Sequence, residues 1–215
     1  MIELRKVTKI YKNRVAIKDI NLEVGEEKIA LIGPNGSGKS TLLKLISGIL
    51  KPNSGKVVVL GNDPFKNPEV RRKIGIVTHN PMLYREFTVE ENLKFFARIY
   101  GCELDKSILN LLDLNSKKSL KVSELSMGWI RRVAMARALI HKPEILMVDE
   151  GLSGLDFEAR IKIFELIKRE SDCLIYVTHD FKELEVFERY VVLRDGRLVY
   201  DGEEIEKAIN AAGSC

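Results

Sequence analysis

Residues 33 to 40 read Gly33-Pro34-Asn35-Gly36-Ser37-Gly38-Lys39-Ser40, a full Gly-x-x-x-x-Gly-Lys-Ser phosphate-binding loop. The apolar run Ile29 to Ile32 precedes it and a helix-like stretch begins near Thr41, which predicts a strand, a tight loop and a helix in that order. Glycine lets successive backbone N–H groups turn into one concavity, and the helix start adds its partial positive charge. Gly33, Pro34, Asn35, Gly36, Ser37, Gly38, Lys39, Ser40 and Thr41 are therefore the expected ligands of a polyphosphate. Lys39 would reach the β and γ phosphates as a point charge, while the Ser40 hydroxyl would join the oxygen ligands of Mg2+.

Working outward, Ile2 to Val7 and Ile20 to Val24 carry near-alternating apolar positions, with turns around Lys12-Asn13 and Gly25. After the glycine loop Leu42, Leu43, Leu45, Ile46 and Ile49 recur at helical spacing, and Gly48, Pro52 and Gly55 end that helix before a strand at Val57 to Leu60. From Phe87 to Leu139 the signals are mostly helical, with one stripe of Val89, Leu93, Phe96 and Tyr100, another of Leu104, Ile108, Leu111 and Leu112, and a third over Val133 to Leu139. This reads as an inserted helical lobe. Beyond it the apolar runs Ile145 to Val148 and Leu174 to Val177 are separated by a helix carrying Ile161, Phe164 and Ile167, the alternation of a parallel sheet covered by helices.

A chain of 215 residues with 45% hydrophobic content can bury one substantial core with a modest appended lobe. Thirty-five basic and thirty-one acidic residues leave a net charge of +4 with no polybasic block, which argues against a nucleic-acid partner. Cys102, Cys173 and Cys215 are odd in number and scattered, suggesting neither a disulfide framework nor a thiolate metal site and fitting a reducing cytoplasm. Met1 to Thr8 holds no secretory core, and no segment approaches the roughly 20 apolar residues that cross a bilayer.

A second constellation, Ile145-Leu146-Met147-Val148-Asp149-Glu150, delivers two carboxylates at the end of an apolar strand, the edge where open α/β sheets bind ligands. Asp149 can hold Mg2+, and Glu150 can orient and deprotonate a water that attacks the γ phosphate. A third, Leu125-Ser126-Met127-Gly128-Trp129-Ile130-Arg131-Arg132, opens the helix of Val133 to Leu139. Read alone, Ser126 is an ordinary N-cap; read with Gly128, it marks an anion site at a helix start.

The phosphate loop, the Leu-Ser-x-Gly helix start, the Asp149-Glu150 strand, the Ser153-Gly154-Leu155-Asp156 loop and Thr178-His179-Asp180 together resemble the ATP-binding-cassette ATPase family over residues 2 to 205. The resemblance implies an α/β fold of the RecA-like phosphate-loop type: a parallel sheet core in 1–80 and 140–205, an N-terminal antiparallel β subdomain, a helical subdomain at 81–139, and a tail at 206–215. It implies an ATPase dependent on ATP and Mg2+, acting as a homodimer or as a heterodimer with a second cassette. Ser126 and Gly128 of one subunit would complete the site formed by Lys39 and Asp149 of the other. His179 would bond the γ phosphate and hold Glu150 and the water, Asp156 would carry signals between sites, and Tyr11 would stack adenine unless it is packing.

Three positions depart from the family pattern. His79, in Thr78-His79-Asn80-Pro81, stands where a glutamine is expected to touch Mg2+ and the water, and an imidazole cannot both donate and accept as an amide does. Met127 and Trp129 replace a glycine and a glutamine of the helix-start motif. His141 reads as structural. The segment Leu83 to Thr88 with Asn92 to Phe96 offers aromatic side chains for a short partner helix, or simply packs the helical lobe. In the family this region receives a transmembrane permease subunit, and the wording from Val77 to Phe96 resembles export-type cassettes, so the chain is expected to drive solute export from the cytoplasmic face of the membrane. The alternative is a soluble, non-transport cassette ATPase acting on a macromolecular assembly, which generally has tandem cassettes, long insertions or basic linkers.

Overall fold

The computed structural model describes residues 1–149, 155, 157–178 and 181–213. They fall into two compact units, Met1–Arg71 with the stretch from Asp172 onward, and Arg72–Ser171. Chain order runs β1 (Ile2–Tyr11), β2 (Arg14–Val24), β3 (Lys28–Ile32), α1 (Lys39–Ile46), β4 (Ser54–Val59) and α2 (Pro68–Arg71) in the first unit. The second unit supplies β5 (Ile74–Val77), α3 (Val89–Tyr100), α4 (Ser107–Leu111), α5 (Met127–Leu139), β6 (Ile145–Asp149) and α6 (Phe157–Arg169). The chain returns to the first unit for β7 (Cys173–Val177), α7 (Phe181–Leu184), β8 (Arg189–Arg194), β9 (Arg197–Gly202) and α8 (Ile205–Ala212).

In the first unit β1 pairs antiparallel with β2 and β4, from Ile2 opposite Val24 to Tyr11 opposite Arg14 on one edge and Ile2 opposite Val59 on the other. The two-residue period of a strand explains why Ile2, Leu4, Val7, Ile17, Ile20, Leu22 and Val24 are buried while Arg5, Lys18, Asn21 and Glu23 are exposed. β3 lies between β7 and β8 and is parallel to both, Ile29 facing Ile175 and Arg189. A strand covered on both faces needs a continuous apolar run, which Ile29 to Ile32, Leu174 to Val177 and Tyr190 to Leu193 provide. β9 runs antiparallel to β8, and Ala208 and Ala212 bury the inner face of α8, a helix where the sequence suggests a tail.

In the second unit β5 and β6 pair in parallel from Ile74 and Ile145 to Val77 and Val148, every residue buried. α3 starts with a capping box, the Thr88 N–H donating to Glu91 Oε2 at 2.8 Å and the Glu91 N–H to Thr88 Oγ1 at 3.2 Å, and ends at Gly101 with φ 75°. One detail of α3 differs from the sequence expectation. Phe96 and Tyr100 are only half-buried, and Asn92 takes the core position instead: its amide accepts from the Tyr84 N–H at 2.8 Å and donates to Tyr84 O at 2.9 Å and Thr88 O at 3.0 Å. The hairpin of β8 and β9 carries no expectation, although Asp195-Gly196, at φ 49° and 74°, is the dipeptide such a turn demands. Among the described residues no helix is long and apolar enough to cross a membrane.

Candidate functional site

The phosphate loop leaves the end of β3 and enters α1 at Lys39, two residues earlier than its apolar pattern suggests. Two glycines are enforced by close backbone approach: a Cβ on Gly33 would stand 2.0 Å from Leu193 O, and one on Gly38 2.6 Å from Ala16 O, with φ 147° and 108°. Gly38 also occupies the N-cap of α1 and offers no side chain to its first turn, so the opening amides of the helix keep their donors for a ligand. The Lys39 ammonium donates to Gly33 O at 2.6 Å and Pro34 O at 3.0 Å. Ser37 Oγ is buried without a hydrogen-bond partner among the described residues. The loop is braced from outside, Gly196 N donating to Ser37 O at 3.0 Å while Gly196 O accepts from Lys18 N at 2.8 Å.

Tyr11, at the end of β1, is 43% exposed. Lys9 Nζ stands 5.5 Å from the centre of its ring. In the same unit Thr178, just after β7, is buried and its hydroxyl donates to Glu183, which also accepts from the Tyr176 hydroxyl at 3.2 Å.

The other described residues expected at the site lie in the second unit. Asp149 closes β6 with 2% exposure, and among the described residues its Oδ2 meets no donor. An orphaned, buried carboxylate oxygen suits a hard divalent cation, so this position fits Mg2+. His79 follows β5 and is exposed. Ser126 is the N-cap residue of α5, yet its hydroxyl makes no capping bond, which leaves it available to a ligand and weakens the ordinary-cap reading. Gly128 is half-buried in the first turn, Met127 is 60% exposed, and the Trp129 ring has Lys117 Nζ at 5.4 Å and the Arg132 guanidinium carbon at 4.8 Å. Glu150, Asp156 and His179 lie outside the described residues. Among the described residues no group of three or more His, Cys, Asp or Glu side chains is arranged to hold a metal.

Two functional neighbours escape the sequence reading. α5 is buried on nearly every side, including Arg131 and Arg137. Arg131 Nη1 donates to Thr78 O at 2.9 Å and Arg137 Nη2 donates to Ile76 O, so this helix grips the backbone immediately before His79. Burial lowers the Arg137 pKa. Arginines at 131 and 137, in a helix whose only other charged residue is Arg132, are the signal that could have revealed them. His141 just beyond stacks on Tyr100 at 3.8 Å, lies 3.3 Å from Ile74 O, and burial pushes its pKa down to about 4. Tyr84, Phe87, Phe95 and Phe96 form one aromatic cluster with neighbouring centroids 4.9 to 6.3 Å apart, Tyr84 and Phe87 being 47% and 39% exposed.

Residues 17–153 match the protein family described as ABC transporter. A spermidine/putrescine import ATP-binding protein of Spiroplasma citri is 36% identical over 96% of this chain and 62% of its own length. A Nod factor export ATP-binding protein I of Neorhizobium galegae is 36% identical over 94% of this chain and 61% of its own length. Its counterpart in Rhizobium etli is 37% identical over 94% and 67%. The chain thus spans 61% to 62% of the first curated relatives it matches. A solved dimeric ATP-binding cassette in a post-hydrolysis state with ADP and Pi superposes with a TM-score of 0.87 at 30% identity, covering 94% of this chain and 98% of that one.

Proposed function

Because the chain belongs to the ATP-binding-cassette transporter family, we propose that it is the ATP-hydrolysing subunit of a membrane exporter. The observation that carries this reading is the phosphate loop: a glycine-enforced backbone that opens an uncapped helix with Lys39 at its mouth. In it Tyr11 stacks the adenine, the loop from Gly33 to Thr41 binds the phosphates, and Lys39 neutralises the transferring group. Ser40, Asp149 and His79 would hold Mg2+, which would supply charge neutralisation at the phosphate oxygens. Glu150 deprotonates the attacking water, His179 holds it in line, and Asp156 relays between sites.

Two copies, or this chain and a second cassette, close on ATP so that Ser126 and Gly128 of one meet the γ phosphate bound by the other, and they part after hydrolysis. The dimeric cassette with ADP and Pi supports that arrangement. The aromatic cluster around Tyr84 and Phe87, in the helical subdomain of 81–139, receives a permease on the cytoplasmic face of the membrane. Export is favoured by the Nod factor export relatives, while the spermidine/putrescine relative works in import. Calorimetry with ATP is the test: Lys39→Ala should lose most of the affinity of the wild-type protein, and an unchanged affinity would remove the phosphate loop from the site.

A further inference from the structure

The phosphate loop has a basic neighbour that no residue role above employs. Arg14 opens β2 directly across the hairpin from Tyr11, as its Cα partner. Its Nη2 stands 3.5 Å from the point that a Cβ on Gly36 would occupy, at the tip of the loop. The side chain is exposed, and among the described residues it has no hydrogen bond, ion pair or ring contact. The loop from Gly33 to Thr41 contains no acidic residue that could serve as its counter-charge. A second cation, Lys39, already turns its ammonium into the carbonyls at the start of the same loop. Two positive groups thus stand at one loop that opens a helix without a side-chain cap, chemistry that suits an anion.

We propose that Arg14 is a nucleotide ligand whose guanidinium pairs with the α and β phosphates of a nucleotide stacked on Tyr11. The inference rests on the nucleotide-site reading of the loop. The position follows from the two anchors: Arg14 is fixed beside the adenine platform by strand pairing and reaches the loop at Gly36, so it bridges the base end and the phosphate end of one ligand. A planar guanidinium offers paired N–H donors that match phosphate oxygens, which a lysine ammonium does not reproduce. Because the side chain is exposed, its pull on the ligand is screened by salt.

The test is calorimetric titration of the full chain with ADP and with a non-hydrolysable ATP analogue, at low and at raised salt. Arg14→Gln should weaken both ligands by about five- to tenfold and flatten the salt dependence, with Arg14→Lys intermediate and the melting temperature of the free protein unchanged. Wild-type protein that binds neither nucleotide overturns the underlying nucleotide-site reading. Wild-type protein that binds both, with Arg14→Gln equal to it in affinity and salt slope, overturns the role of Arg14 alone. Loss confined to the triphosphate analogue would also overturn it, since that pattern belongs to a γ-phosphate contact.

Discussion

The phosphate loop of the first unit and the α5 grip of the second both shape backbone, and they do so by opposite means. In the loop the main chain comes so close to Leu193 O and Ala16 O that Gly33 and Gly38 leave no room for a Cβ. In the second unit the work is done by side chains, Arg131 and Arg137 reaching to carbonyls at the end of β5. A backbone with no room for a Cβ fixes its glycines, whereas a backbone held by side chains makes no such demand at the positions held. All three departures from the family pattern, His79, Met127 and Trp129, fall in the second region, and none falls in the loop.

The largest effect should separate binding from turnover. Glu150→Gln should slow hydrolysis by about two to four orders of magnitude while ATP affinity, owed to the loop, is retained and a dimer accumulates. Steady-state turnover equal to wild type would remove Glu150 from the base role. Next, acid should attack the second unit through His141, whose folded pKa of about 4 lies below the ordinary value of 6.5. The unfolded chain binds the extra proton between those values, so the stability owed to the neutral ring is whole above pH 6.5 and falls as pH drops towards 4, by about 3 kcal/mol at most. His141→Phe should flatten this part of the stability curve, and a denaturation series with the same slope in both proteins would contradict it.

Arg131→Ala should cost about 1–3 kcal/mol, because Thr78 O loses a donor from a buried guanidinium. It should also lower kcat more than it raises the Kd for ATP, since the grip acts on the segment before His79; equal losses in both would make it only a structural tie. The smallest effect belongs to Trp129→Gln, which removes two cation–ring contacts and should cost about 0.5–1 kcal/mol in chemical denaturation. A larger loss would show that Trp129 carries core packing as well.

Much of this architecture is legible in the sequence because its signals are local. The phosphate loop, the apolar runs of β3, β6 and β7 and the start of α5 each declare themselves within a few residues. What escaped depends on distance along the chain. Asn92 looks like a surface residue on a helix until the Tyr84 backbone folds back onto its amide. Arg131 and Arg137 look like solvated charges until carbonyls 53 and 61 residues away accept from them. Arg14 belongs to a turn by composition, and only strand register places it beside Tyr11. The β8 and β9 hairpin was readable from Asp195-Gly196 and shows that a turn dipeptide outweighs weak alternation in the strands around it.

The brace between Gly196 and Ser37 has a consequence for biosynthesis. β3 sits between two strands made far later, and the turn that steadies the loop arrives later still. A ribosome that has just released residues 33 to 40 has produced the motif without its mould. A chain that ends before residue 173 therefore holds the motif without the two strands that flank β3 and without the turn that braces Ser37.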